Sequence, residues 1–138
     1  MKLKQIMTTN IATIHPNDTL QIAARIMRDR DVGFLPVYEG TELLGVLSDR
    51  DIVIRAVAEG MNPTAMLTKH LVTSPVVSCF EDQSVDDAAQ LMHENQVRRL
   101  VVLDRKTKQL VGIVSLGDLA THVGEKMSGE VLQHVSVP

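Results

Sequence analysis

Apolar side chains recur at Leu20, Ala23, Ala24 and Met27, and again at Val85, Ala88, Ala89 and Met92. Steps of three and four residues put each set on one face of a helix. Downstream of each helix lies a pair of apolar runs. "FLPVY" and "LLGVL" follow the first, and "RLVVL" and "LVGIV" follow the second. Their near-continuous apolarity predicts strands covered on both faces. The polar segments "YEGTE" and "DRKTK" between the members of each pair predict hairpin turns. Asp18 with Gln21, and Ser84 with Asp87, are the expected helix N-terminal caps.

The order of elements is therefore repeated, and so are the residues. A shift of 65 positions sets Thr8 on Thr73, Met27 on Met92, Val32 on Val97 and Val37 on Val102. Two residues are added in "LDRKTKQL", and a shift of 67 then sets Gly45 on Gly112, Ser48 on Ser115 and Asp51 on Asp118. Turns tolerate such a change of length at little cost. Each copy reads short strand, helix, strand, hairpin, strand, helix. A copy of about 60 residues is marginal for burying a core alone. The expected division is repeat 1 over 1–62, repeat 2 over 63–124 and a tail over 125–138, with Asn62-Pro63 as the junction.

Composition narrows the classes of function. Phe34, Tyr38 and Phe80 are the only aromatic residues, so the core is aliphatic and no stacking platform for single-stranded nucleic acid is expected. A net charge of −3 gives no basic footprint for nucleic acid or an anionic membrane. Cys79 is the lone cysteine, which rules out an intrachain disulfide and a cysteine-based zinc cage, and a buried apolar role is expected for it. The five histidines include no His-x-x-x-His pair, and no metal site is expected. No apolar window is long enough for a signal peptide or a membrane span, so a cytoplasmic protein is expected. No nucleophile–base constellation is recognisable, and no catalytic residue is assigned.

The sequence offers two candidate sites, "SDRD" at 48–51 and "SLGD" at 115–118. Ser-x-x-Asp ahead of an apolar run is a capping-box variant. The same carboxylate can also accept from two vicinal hydroxyls. The two roles are compatible, and residue types alone leave both open. Arg98 and Arg99 are adjacent in a strand, so they face opposite ways, and a guanidinium suits phosphate. Gly33 and Phe34 hold the matching positions in the first copy. Gly117, in a first helical turn, is unfavourable by roughly 1 kcal/mol relative to Ala.

The motifs "DTLQIAARIM", "VGFLPV" and "LLGVLSDRDI", echoed by "QSVDDAAQLM", "VRRLVVLD" and "LVGIVSLGDL", resemble a tandem pair of CBS domains, the unit called a Bateman module. The resemblance covers roughly residues 6–124. It implies an α+β fold of two β-α-β-β-α repeats related by pseudo-twofold symmetry, with the sheets packed together and two clefts between the copies. It also implies adenosine-containing ligands: AMP, ADP, ATP or S-adenosylmethionine. In the family pattern the motif Asp grips ribose. On that geometry Ser48 and Asp51 share a cleft with Val77, Val97, Arg98 and Arg99, and Ser115 and Asp118 share the other with Ala12, Val32 and Gly33. Arg99 is the expected phosphate ligand, with Arg98 accessory, so the Asp51 cleft is expected to prefer a phosphorylated nucleotide. The resemblance implies a non-enzymatic sensor, a homodimer and an unidentified regulated protein. The alternative is a structural dimerisation protein that binds no nucleotide.

Overall fold

The computed structural model describes residues 1–123, so the expected tail over 125–138 lies outside the described residues. The secondary structure is mixed α+β, and the chain forms two compact units. Unit A comprises residues 12–76 and unit B comprises residues 1–11 together with the chain from Val77 onward.

In unit A, α1 (Leu20–Arg30) leads to the antiparallel hairpin β1 (Phe34–Glu39) and β2 (Glu42–Ser48). The short helix α2 (Asp49–Ile52) then runs into a π-helical turn over Val53–Val57. In unit B, β3 (Ser78–Phe80) is followed by α3 (Val85–Asn95), the hairpin β4 (Arg99–Leu103) and β5 (Leu110–Ser115), and α4 (Leu116–Val123). β3 pairs with β4 in parallel, and β4 pairs with β5 antiparallel. Unit A has the same parallel contact reduced to one bridge, Ile14 to Val37, where unit B pairs Cys79 with Val102. Each hairpin carries a register shift at the same place, after Val37 and after Val102.

The helical faces are close to those expected. Leu20, Ala23 and Met27 are buried on α1, and Val85, Ala88 and Met92 on α3. Ala24 is exposed, so the apolar stripe of α1 is narrower than its sequence suggests. The cap of α1 lies one residue later than expected. Thr19 accepts at Oγ1 from Ile22 N–H (3.3 Å), while Asp18 instead accepts at Oδ2 from His15 N–H (3.1 Å). Ser84 caps α3 as expected, with Ser84 Oγ accepting from Asp87 N–H and Asp87 Oδ2 accepting from Ser84 N–H, both at 3.1 Å. Leu100, Val101 and Val102 are all fully buried in succession, so both faces of β4 are covered.

The packing units are cut differently from the sequence repeats. The opening segment of each copy joins the hairpin of the other copy. Thr73 exchanges both backbone hydrogen bonds with Val46 of β2, and Thr8 does the same with Ile113 of β5, at 2.9–3.1 Å. The preceding residues follow the same exchange. Leu71 lies in the core of unit A, and its counterpart Ile6 lies in the core of unit B. Each segment also anchors to the loop before the helix of its unit. Leu3 N–H donates to Gln83 O (2.9 Å), and Thr68 N–H donates to Asp18 O (2.8 Å). These short segments cover the free edges of β2 and β5, whose unpaired backbone groups would otherwise be exposed.

The glycines of the two motifs permit this approach. A β-carbon on Gly45 would meet Val72 Cγ2 and stand 2.6 Å from the Thr73 carbonyl oxygen. The atoms nearest a β-carbon on Gly112 would all belong to the Met7 side chain, its Sδ first and its Cγ at 2.8 Å. Backbone cannot yield as a flexible thioether can. Gly45→Ala is therefore expected to lower stability by about 1–3 kcal/mol, the range for overpacking, and Gly112→Ala by clearly less. Equal melting temperatures for the two variants would overturn the difference. Thr68 and Leu3 occupy equivalent, fully buried positions, and Thr68 Oγ1 has no hydrogen-bond partner. Thr68→Val removes that hydroxyl at nearly constant shape. It is expected to stabilise by roughly 1 kcal/mol and raise the melting temperature by a few degrees. A lower melting temperature would show that the hydroxyl is satisfied.

Candidate functional site

Both Ser-x-x-Asp motifs sit where a strand turns into a helix, and both close a reciprocal cap. Ser48 N–H donates to Asp51 Oδ2 (2.9 Å), and Asp51 N–H donates to Ser48 Oγ (3.1 Å). Ser115 N–H donates to Asp118 Oδ2 (2.9 Å), and Asp118 N–H donates to Ser115 Oγ (3.0 Å). One further bond fixes each junction. Asp49 N–H donates to Gly33 O (2.9 Å), and Leu116 N–H donates to Arg98 O (2.8 Å). The start of each helix is thus tied to the entry of its own hairpin. The capping role is real in both copies. It occupies one carboxylate oxygen of each Asp and leaves the other available for different work.

The hairpin register decides which side chains surround each motif. Arg99 stands opposite Ser115, and Phe34 stands opposite Ser48. In unit B, Arg98, Arg99, Ser115, Leu116, Gly117 and Ala120 line a hollow of about 410 Å³. Two exposed guanidinium groups therefore stand at the wall that carries Ser115. The sequence-based grouping set Arg98 and Arg99 with Asp51. Within unit B these arginines lie beside Ser115, three residues from Asp118. Gly117 is open to the hollow, since a β-carbon there would find only Ser115 Oγ at 3.6 Å.

In unit A, a hollow of about 350 Å³ is lined by Asp49, Arg50, Val53 and Ile54. Its character is different. Where unit B has Arg98, Arg99 and Leu116, unit A has Gly33, Phe34 and Asp49. The Asp49 carboxylate lies against Gly33, and a β-carbon there would fall 2.6 Å from Oδ2. The hollow of unit A is thus edged by an acid at the position where that of unit B carries an apolar residue beside two cations.

The remaining expected residues fall into the same two sets. Val77 and Val97 are partly buried against the core of unit B, and Ala12 against that of unit A. Val32 is exposed, with its N–H donating to Met27 O (3.0 Å). Unit A thus holds Ala12, Val32, Gly33, Ser48 and Asp51. Unit B holds Val77, Val97, Arg98, Arg99, Ser115 and Asp118. Sequence reasoning missed Arg55 and Thr73, which both reach Asp51. Arg55 Nη2 lies 3.8 Å from Asp51 Oδ1, and Thr73 Oγ1 donates to Asp51 Oδ2 at 3.5 Å. The i,i+4 spacing of Asp51 and Arg55 was a usable signal. Nothing local points to Thr73.

Among the described residues, no cluster of three or more His, Cys, Asp or Glu side chains could hold a metal ion, and no helix is long and apolar enough to cross a membrane.

Paired hairpins with the same capped Ser-x-x-Asp junction define a tandem α+β repeat. A profile of the CBS domain matches residues 3–57 and 69–125, and the chain belongs to that family. It is 40% identical over 135 residues to the CBS domain-containing protein YhcV of Bacillus subtilis, covering 97% of this chain and 94% of that one. Among solved structures, it resembles a conserved CBS domain protein of unknown function from Thermoplasma acidophilum. The TM-score is 0.86 at 27% identity, over 99% of this chain and 77% of the other. It also resembles the CBS domain pair of protein MJ0100, solved in complex with 5′-methylthioadenosine and S-adenosyl-L-methionine. There the TM-score is 0.80 at 26% identity, over 90% of this chain and all of the other.

Cys79 lies apart from both hollows. It is buried in the core of unit B, with its Sγ 3.7 Å from the Val101 carbonyl oxygen. Burial, aided by the negative charge of Asp87, pushes its thiol up to about 12. A thiol so protected reacts slowly. Disulfide-exchange reagents at pH 8 are expected to label Cys79 only when the protein unfolds, and rapid labelling of the folded protein would contradict its burial.

Proposed function

We propose that the chain is a non-enzymatic sensor that binds an adenosine-containing nucleotide, with the hollow of unit B as its primary site. The observation that carries this reading is the meeting of Arg98 and Arg99 with Ser115 and Gly117 around one hollow, with Asp118 tied to Ser115 by the cap. Asp118 has one oxygen engaged by Ser115 N–H, and its other oxygen can accept from a ribose hydroxyl. Arg99 supplies the cation for a phosphate or another anionic group, with Arg98 accessory. Gly117 leaves room for close approach of the sugar. The adenosine ligands of the MJ0100 domain pair support the same ligand class for this chain. AMP, ADP, ATP and S-adenosylmethionine are the candidates.

Ligand binding would act by favouring one conformation of the chain, whose output passes to a regulated partner. A homodimer is part of the same proposal. Val53, Ile54 and Val57 are exposed on the π-helical turn and Met61 is exposed just beyond it, a surface that suits association with a second copy. That face is also what favours the purely structural alternative, so nucleotide binding is the discriminating measurement.

Thermal-shift and calorimetric titrations with AMP, ADP, ATP, S-adenosylmethionine and adenosine test the reading, because a ligand selective for the folded state raises apparent stability. Asp118→Asn keeps a capping acceptor but removes the charge. Losing a charged hydrogen bond of about 1.5–3 kcal/mol should weaken binding roughly 10–150-fold. Arg99→Ala should weaken AMP binding while leaving adenosine nearly unchanged. No signal with any ligand would favour the structural alternative, and equal losses for AMP and adenosine would remove the phosphate role from Arg99.

A further inference from the structure

Asp51 and Asp118 close the same cap, but their outer oxygens meet different surroundings. Asp51 Oδ1 faces Arg55 Nη2 at 3.8 Å, one turn further along the helix. Arg55 is also held by its other nitrogen, since Nη1 donates to the Leu71 carbonyl oxygen at 3.1 Å. Leu71 belongs to the exchanged segment buried in the core of unit A, so this anchor is fixed. The same segment brings in Thr73, whose hydroxyl reaches Asp51 Oδ2 at 3.5 Å. The Asp51 side chain keeps only 18% of its exposure.

Among the described residues, unit B has none of these contacts. Asp118 Oδ2 accepts from Ser115 N–H, and no ion pair to Asp118 is formed among the described residues. The residue four positions on is His122, which is exposed. The counterpart of Leu71 is Ile6, and that of Thr73 is Thr8.

We infer that Arg55 closes the first copy's motif carboxylate, so that the chain takes one nucleoside, at Asp118, and not two. The inference rests on the proposed nucleotide-binding reading and deepens it. A vicinal diol needs an accessible carboxylate oxygen. At Asp51 it must displace a guanidinium that already offers charged donors and is anchored at its far end. At Asp118 it meets an oxygen that forms no ion pair among the described residues. Arg55 is thus a positioning residue that acts through Asp51.

Calorimetric titration of the full chain with adenosine tests this. An uncharged nucleoside avoids a bias toward the arginines of unit B. The wild type is expected to bind one adenosine per chain, with Asp51→Asn changing the affinity by less than about twofold and Asp118→Asn lowering it at least about tenfold. Arg55→Gln keeps a donor for the Leu71 carbonyl but removes the charge, and it is expected to bind two. Arg55→Lys, which keeps the charge, is expected to bind one. A structural role for Arg55 alone would shift the melting temperature without changing the stoichiometry. Two sites in the wild type, or one site in a folded Arg55→Gln, would overturn the closure while leaving nucleotide binding intact. Should Arg55→Gln not fold, the wild-type stoichiometry and the Asp51→Asn affinity still decide the matter. No binding of adenosine, AMP or S-adenosylmethionine to the wild type would overturn the binding reading itself, and the closure with it.

Discussion

Thr73 pairs with Val46, and Thr8 with Ile113, and these two short bridges close the outer edges of both hairpins. Each bridge satisfies the outer edge of a hairpin that would otherwise expose unpaired backbone groups. The approach is close enough to require a residue without a side chain at 45, and it favours one at 112. Three residues further on, each strand ends at a serine whose hydroxyl starts a helix. The glycine and the Ser-x-x-Asp unit therefore answer different demands. The glycine admits a neighbouring backbone, and the serine and aspartate fix the strand-to-helix turn. What distinguishes the two turns is the set of side chains that the hairpin register places beside each.

That register makes the two copies chemically unequal on a common backbone. Phe34 and Gly33 stand where Arg99 and Arg98 stand in the other copy, and Asp49 where Leu116 stands. The caps, the strand-entry carbonyl bonds and the register shifts are all preserved between them. At these positions the two copies differ in charge while keeping the same backbone arrangement. Arg55 belongs to the same pattern, since it is exposed on its helix and yet reaches the motif carboxylate.

Much of this was legible in the sequence. Helical periodicity located α1 and α3, and the length change at "DRKTK" marked the second hairpin turn. There Arg105 reaches Asp82 through both Nε and Nη2 at 2.8 Å, and Arg105 and Lys108 both lie over the Phe80 ring. The cap of α1 was misplaced by one residue because Asp18 and Thr19 are both good capping types, and the loop geometry decides between them. The companionship of Arg99 and Ser115 was available from the hairpin, since the turn position sets the register. The exchange of opening segments was not legible. An offset of 65 shows which residues are equivalent, but equivalence cannot tell whether Thr73 pairs within its own repeat or with the other. Arg55's contact was readable as a spacing. Its anchor on Leu71 depends on the exchange and was not.

The exchanged segments also bear on how such a chain can be divided. Cutting it between the sequence repeats would separate Thr73 from Val46 and Thr8 from Ile113, leaving each half with an uncovered edge and a loose end. A single copy that kept these pairings could do so only by lending its opening segment to a second molecule, as an intertwined dimer. Joining two copies in one chain makes that loan internal. The covalent link then supplies at any dilution the partner segment that separate copies would have to find by collision.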